Sequence, residues 1–292
     1  MRANFKIGKL VIIGVGLIGG SFALALKKAK AVKHVVGVGR SRRNLAAALR
    51  LRLIDEASTD AARAVADADL VLLAMPVGQM AETMARIAPH LPEHAVITDG
   101  GSTKQDVIAC ARRFLGAHFP RFVPAHPIAG TEKSGAVAAF AELYRGRNVV
   151  ITPQPETSAQ ALRLARAAWR RCGARIVQLD AREHDAIFAA VSHLPHVLAF
   201  ALVNALARRP DAKKLFGYSG GGLRDTVRIA GSSAEMWSDI CMANRNALLA
   251  ALDDYEDELE SVRSAIESGD GATLARMFER ARSVRGKWLK RD

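Results

Sequence analysis

The feature that most constrains this chain is a glycine pattern behind a short β-branched run. Residues 9–13 read KLVII, and Gly14, Gly16 and Gly19 follow in the spacing GxGxxG. A helical pattern then runs from Ser21 to Lys28, and a second apolar run, HVVGVG, ends at Gly39. Strand, glycine turn, helix and strand within about thirty residues form the frame of a dinucleotide-binding unit. In that frame Gly14 permits the tight turn, Gly16 lets backbone approach a pyrophosphate, and Gly19 lets the helix pack close to the strand. The helix start at Leu17 and Ile18 faces the anion. Met75 and Pro76, which end the apolar run ADLVLLAMP, are read as further cofactor contacts.

The same stretch imitates a secretory leader. Arg2, Lys6 and Lys9 precede the uncharged run LVIIGVGLIGGSFALAL, which contains Ala23-Leu24-Ala25. Four regularly spaced glycines do not suit a leader, and the nucleotide reading explains them. Cys110, Cys172 and Cys241 are odd in number and lack CxxC spacing, which suits reduced thiols. A cytoplasmic location is therefore expected.

Strand-like runs recur at 68–76, 95–100, 121–127, 148–152 and 174–179, with helical stretches between them. That alternation predicts an α/β fold, a Rossmann-type, doubly wound, mainly parallel sheet. Past about residue 180 only helical patterns remain, at 182–208, 223–231, 234–265 and 271–290. The expected division is a dinucleotide-binding domain over 1–180 and an all-α domain over 181–292.

In the NAD form of this fold an acidic residue stands about twenty residues past the last glycine. Here that place holds Arg40, Ser41, Arg42 and Arg43 and no carboxylate. Arginines and a serine suit a 2′-phosphate, so NADP is favoured over NAD. The plain alternative is a solvated helix start capped by Ser41.

The chain carries a net charge of +13. The cations are spread along it without interleaved aromatics, so neither nucleic acid nor a membrane is an expected partner. A basic protein does steer small anions toward itself. Four stretches hold the remaining candidates: TDGGSTK (98–104), HPIAGTEKSG (126–135), SHLPHVLAF (192–200) and GGGLRDTVRIAGSSAEMW (220–237). The second is read as a loop. Ser102 could merely cap a helix starting near Thr103. His193 and His196 have a metal-compatible spacing, but nothing completes a site, so no metal is expected. From the residues alone the chain is a nicotinamide enzyme for a small anionic substrate, with a histidine available as base.

The runs GVGLIGGS, DGGSTK, HPIAGTEKSG, REHD, SHLPH and GGGLRDTVRIA, in this order, resemble the prephenate/arogenate dehydrogenase family of tyrosine biosynthesis. The resemblance covers nearly the whole chain. It implies oxidation at ring C4, loss of the ring carboxylate as carbon dioxide, and aromatisation. It makes His126 the acceptor of the 4-OH proton and Ser102 a partner that orients it. It gives Arg228 a substrate carboxylate and His196 the side-chain end. Glu132 and Asp225 join Arg228 in a charged gate, while Gly222 and Trp237 line the pocket. It also implies a homodimer through the helical domain. His196, read as a cation or donor, inclines the expectation to prephenate, with arogenate also accepted. Two other readings stay open: a β-hydroxyacid or imine reductase of the same cofactor fold, and a nicotinamide sensor without catalysis.

Overall fold

The computed structural model describes residues 6–131 and 133–289. Six strands form the main sheet: β1 (Ile7–Ile13), β2 (Val32–Val38), β3 (Glu56–Ser58), β4 (Leu70–Leu73), β5 (Val96–Asp99) and β6 (Phe122–Val123). Their order is β3-β2-β1-β4-β5-β6 and every pair is parallel. Helices α1 (Leu17–Lys28), α2 (Arg42–Arg50), α3 (Ala61–Val65), α4 (Met80–Ile87), α5 (Gln105–Phe114) and α6 (Ala159–Arg171) belong to the same α/β part. A parallel sheet covered on both faces needs strands that are apolar throughout. LVLL in β4 is such a strand, buried at every position. One core holds Phe22, Leu26, Tyr144 and Trp169, and the other holds Met80, Met84, Ile87 and Phe119.

Register decides where the site lies. Ile13 pairs with Val38 and with Leu73, and Leu73 pairs with Asp99. The strands therefore end level, and Gly14, Gly39, Ala74 and Gly100 emerge along one edge. The strand order reverses between β1 and β4, and ligands of open α/β sheets bind at such a switch point.

The run 121–127 is not one strand. Proline cannot donate to a ladder, and at Pro124 the chain leaves the main sheet. Residues beyond it form β7 (Ala125–Pro127) of a second sheet, with β8 (Asn148–Ile151) and β9 (Arg175–Gln178). β7 runs antiparallel to β8, and His126 pairs with Val150. His126 and Pro127 thus sit on a paired strand, and the loop begins at Ile128.

Helices follow without further strands: α7 (Ala181–Phe188), α8 (Leu194–Ala207), α9 (Ala212–Gly217), α10 (Gly221–Val227), α11 (Ala234–Ala243), α12 (Arg245–Glu267) and α13 (Gly271–Leu289). The expected helix over 182–208 is interrupted by a π-turn at Ala189–His193. Pro195, in the first turn of α8, has no N–H to give an upstream carbonyl, and a wider turn precedes it. The expected helix over 234–265 breaks at Asn244, whose side chain is drawn inward to the Asp185 carbonyl and the His193 ring. The glycine-rich joint at 218–222 is shorter than expected, because α10 begins at Gly221.

Packing divides the chain into one compact unit ending at Arg245 and another starting at Asn246. The division lies beyond the last strand because α7 packs on α5, and α11 on the 3₁₀ turn Val77–Gln79. In the first unit α8 is apolar on all sides, yet Ala199 is its one buried residue. The second unit holds α13, none of whose residues is buried.

Candidate active site

The glycine turn has the form its spacing requires. Gly14 has φ +100°, and a Cβ there would lie 2.3 Å from the Ala74 carbonyl oxygen. A Cβ on Gly19 would lie 2.3 Å from the Gly14 carbonyl oxygen and 2.6 Å from Ile12. Gly16 instead faces open space, with nothing within 4 Å of a built Cβ. It precedes α1, whose first turn has no side-chain cap and no acidic residue. Uncapped N–H groups beside an open glycine form a cradle for a pyrophosphate, so the residues present fit a dinucleotide.

Two cavities adjoin here and share Gly16, Ala74, Met75, Pro76 and Gly135. One, of about 520 Å³, reaches outward past Gly14, Gly39, Arg40 and Ser41. Arg42 is not among its lining residues. The Ser41 hydroxyl accepts from the Asn44 N–H, so Ser41 does cap α2. Asn44 joins the walls: its Nδ2 donates to the Val15 carbonyl, and its Oδ1 accepts from the Ala136 N–H. The second cavity, of about 380 Å³, is lined by Leu17, Ile18, Ser102, His126, Thr131 and Met236, among others. His126 and Ser102 therefore meet at the inner end of the cofactor cleft. Gly135 has φ +79°, a backbone form that favours glycine, whereas Gly130 does not need one. Glu132 lies outside the described residues.

His126 has a buried partner that its own loop does not supply. His126 Nδ1 lies 2.9 Å from His184 Nε2, and His184 Nδ1 lies 2.8 Å from Asp185 Oδ1. His184 and Asp185 are fully buried. Ser102 does not cap a helix. α5 begins at Gln105, and the capping group comes from another element, the Asp185 carboxylate. It accepts from the Lys104 N–H at 2.8 Å and the Gln105 N–H at 2.9 Å. Burial above all, with the His184 ring and the Lys104 ammonium beside it, pushes the His126 imidazole well below its ordinary pKa, so it is a neutral base.

A buried ion pair fixes the strand that carries this base. Lys104 Nζ meets Asp99 Oδ2, and both side chains are fully buried. The pair clamps both polar groups of Ala125. Asp99 Oδ1 accepts from its N–H at 2.9 Å, and Lys104 Nζ donates to its carbonyl at 2.8 Å. Neither residue is marked by spacing, since a carboxylate and a lysine five positions apart also describe a solvated turn.

A second cluster forms on the helices. His196 stacks on Trp237 with ring centroids 3.6 Å apart, and the Arg228 charge acts on His196. His196 Nδ1 lies 2.8 Å from the Ser192 carbonyl, which can only accept, so Nδ1 carries the proton. Burial, with Arg228, outweighs that bond and lowers the His196 pKa. His196 is thus a neutral ring that donates through Nδ1 to the Ser192 carbonyl, which leaves Nε2 as an acceptor where a cation or a donor is expected. Trp237 is buried in a core rather than lining either cavity. Gly222 and Asp225 lie exposed on α10, which packs against α8. His193, the other half of the metal-compatible pair, faces Asn244 Nδ2 at 3.1 Å, and burial lowers its pKa to about 4.

Residues 22–178 match the nucleotide-binding domain of prephenate dehydrogenase, and residues 180–280 match its dimerization domain. The chain is 38% identical to a cyclohexadienyl dehydrogenase of Zymomonas mobilis over 278 residues, covering 94% of each chain. It superposes on prephenate dehydrogenase from A. aeolicus, solved with hydroxyphenyl propionate and NAD+, with TM-score 0.89 and 35% identity, covering 98% of both chains. Arogenate dehydrogenase from Synechocystis superposes with TM-score 0.78 at 29% identity, covering 96% of this chain and 99% of that one. The chain belongs to the prephenate/arogenate dehydrogenase family.

Proposed function

We propose that this protein oxidatively decarboxylates prephenate, and also arogenate, at the inner cavity beside the glycine turn. The observation that carries the reading is His126, neutral and held on a strand, at the inner end of a cleft shaped for a dinucleotide. A bound oxidised nicotinamide supplies the acceptor for the hydride of substrate C4. Gly14, Gly16 and the start of α1 hold its pyrophosphate, and Met75 and Pro76 wall its ring. His126 Nε2 accepts the hydrogen bond of the substrate 4-OH and takes its proton as C4 becomes carbonyl-like. Carbon dioxide then leaves C1, the ring aromatises, and the phenol oxygen recovers the proton. Ser102 lies beside the same oxygen. Arg228 holds a carboxylate of the substrate, and Asp225, exposed on α10, is the acid assigned to the entrance. The acceptor nitrogen of His196 suits the ammonium of arogenate, so it gives no ground for excluding that substrate.

Mixing the protein with prephenate or arogenate and either NADP or NAD tests the reading. Reduction of the nicotinamide is expected, and its absence in all four mixtures would reject it. The same assay tests the cofactor. Arg40 lines the outer cavity where a 2′-phosphate would lie, and Arg42 does not. Arg40→Ala should raise KM for NADP about tenfold, the loss of one charge-assisted contact, and leave KM for NAD nearly unchanged. Equal changes for both cofactors would remove the preference for NADP.

The apolar, uncovered surface of α8 supports a homodimer through the helices. The span Ala181–Ala207 is long and apolar enough to cross a membrane by length and composition alone. Cover by a second copy fits better, because this span contains His184, Asp185 and His196. A cytoplasmic location accords with the three free cysteines.

A further inference from the structure

A histidine base must present a lone pair toward its substrate, and an isolated neutral imidazole divides between two tautomers. The contacts behind His126 remove that freedom. Burial raises the Asp185 carboxyl, but hydrogen bonds from His184, Gln105 and Lys104 outweigh it and hold Asp185 below the ordinary carboxylate range. Asp185 is therefore ionised and can only accept. His184 Nδ1, 2.8 Å away, must carry the proton. In the neutral ring His184 Nε2 is then a lone pair, and the 2.9 Å contact obliges His126 Nδ1 to donate. His126 Nε2 is left as the unprotonated nitrogen.

We propose that His184 and Asp185 are positioning residues that fix, through the direction of two hydrogen bonds, which nitrogen of His126 is the base. This rests on the reading that His126 takes the substrate hydroxyl proton. Neither residue touches substrate. As His126 gains a proton, its Nδ1–H bond to His184 becomes charge-assisted, and so does the chain behind it. The surroundings enforce the arrangement. Phe188 packs its ring 4.8 Å from His126 and 4.5 Å from His184, closing the apolar side. The other groups bearing on His126 are Lys104 at the start of α5, whose ammonium resists a second positive charge, and the His193 ring in the π-turn. Lys104 and Asp99 bear on His184 from the sheet edge. Asn244 donates to the Asp185 carbonyl and ties the second half of α7 to the start of α12.

Two substitutions separate polarity from bulk. In His184→Gln the amide can donate to Asp185 with its nitrogen and accept from His126 with its oxygen. His184→Leu fills space but offers neither. Glutamine should keep kcat within about tenfold of wild type, and leucine should lower it by about 10² with KM little changed. Tautomer loss in a comparable Asp–His pair costs about 10⁴, so the leucine effect is measurable. Because Asp185 also caps α5, Asp185→Asn could fail to fold, and the His184 pair does not depend on it. An independent readout needs no substrate: the ¹⁵N shifts of His126 in the full chain near neutral pH. A pyridine-like Nε2 and a pyrrole-like Nδ1 are expected, collapsing toward a mixture in His184→Leu. A protonated Nε2 in the neutral wild-type ring would overturn the proposal. So would a leucine variant with wild-type kcat. A wild-type chain with the expected shifts that reduces no nicotinamide would instead overturn the assigned activity and leave the relay standing.

Discussion

His126→Asn should lower kcat by about 10²–10⁴-fold, the usual contribution of a positioned base, while KM for the substrate moves by less than about threefold. Asparagine can still donate to His184 Nε2 and still pair on β7 with Val150, because backbone makes that pairing. It offers no basic lone pair near neutral pH. The loss should therefore fall on the chemical step and not on binding. The pH profile carries the same information. The His126 pKa is pushed well below 6.5 by burial first, and the neighbouring His184 ring and the Lys104 ammonium add to that. A base of depressed pKa stays unprotonated as pH falls. In the wild type kcat should hold across neutral pH and decline only in acid, once His126 protonates. In His126→Asn that acid limb should vanish. A variant that lost only affinity would contradict the role given to this residue.

The second large effect concerns the brace behind the base. Lys104→Met removes one half of a fully buried ion pair and leaves Asp99 charged without its partner. Breaking such a pair from one side costs about 3–5 kcal/mol, because the remaining charge has no water. For a chain of this size the melting temperature should fall by about 10 °C. Activity should fall further than stability explains. The lysine also holds the Ala125 carbonyl, directly before His126, and its own N–H bonds Asp185. The double substitution Asp99→Asn with Lys104→Met restores charge balance, and an asparagine oxygen can still accept from the Ala125 N–H. It should recover part of the melting temperature, since the Gly101 N–H and the Ala125 carbonyl each still lose a partner. Calorimetry of the three proteins checks this. A single variant that melts within about 2 °C of wild type would show that the pair is not the brace.

The parts legible in the sequence were those whose chemistry is local. Gly14, Gly16 and Gly19 act through their own backbone and neighbours a few residues away, so their spacing already carried the turn. His126 was legible because the strand before it ends near the glycine edge. The expectation erred where a distant group supplied the decisive contact. Ser102 suited a cap, but Asp185, some eighty positions on, caps α5 instead. Orientation of His126 went to Ser102 because nothing local shows that His184, on α7, reaches it. REHD was visible as a motif without a role. Its place at the first helix after the last strand was the available signal. Pro124 was the missed local sign, since a proline inside an apolar run marks the point where one strand becomes two. At His196 residue type alone leaves the tautomer open, and the Ser192 carbonyl one turn back takes the Nδ1 proton, leaving Nε2 as an acceptor.

On the proposed function, oxidation and decarboxylation are coupled at His126's cavity. Prephenate labelled in its ring carboxylate, incubated with the protein and NADP, tests it most directly. Labelled carbon dioxide and reduced nicotinamide are counted in the same sample. One carbon dioxide released per nicotinamide reduced is the expected result. Nicotinamide reduction with the ring carboxylate retained would contradict the account.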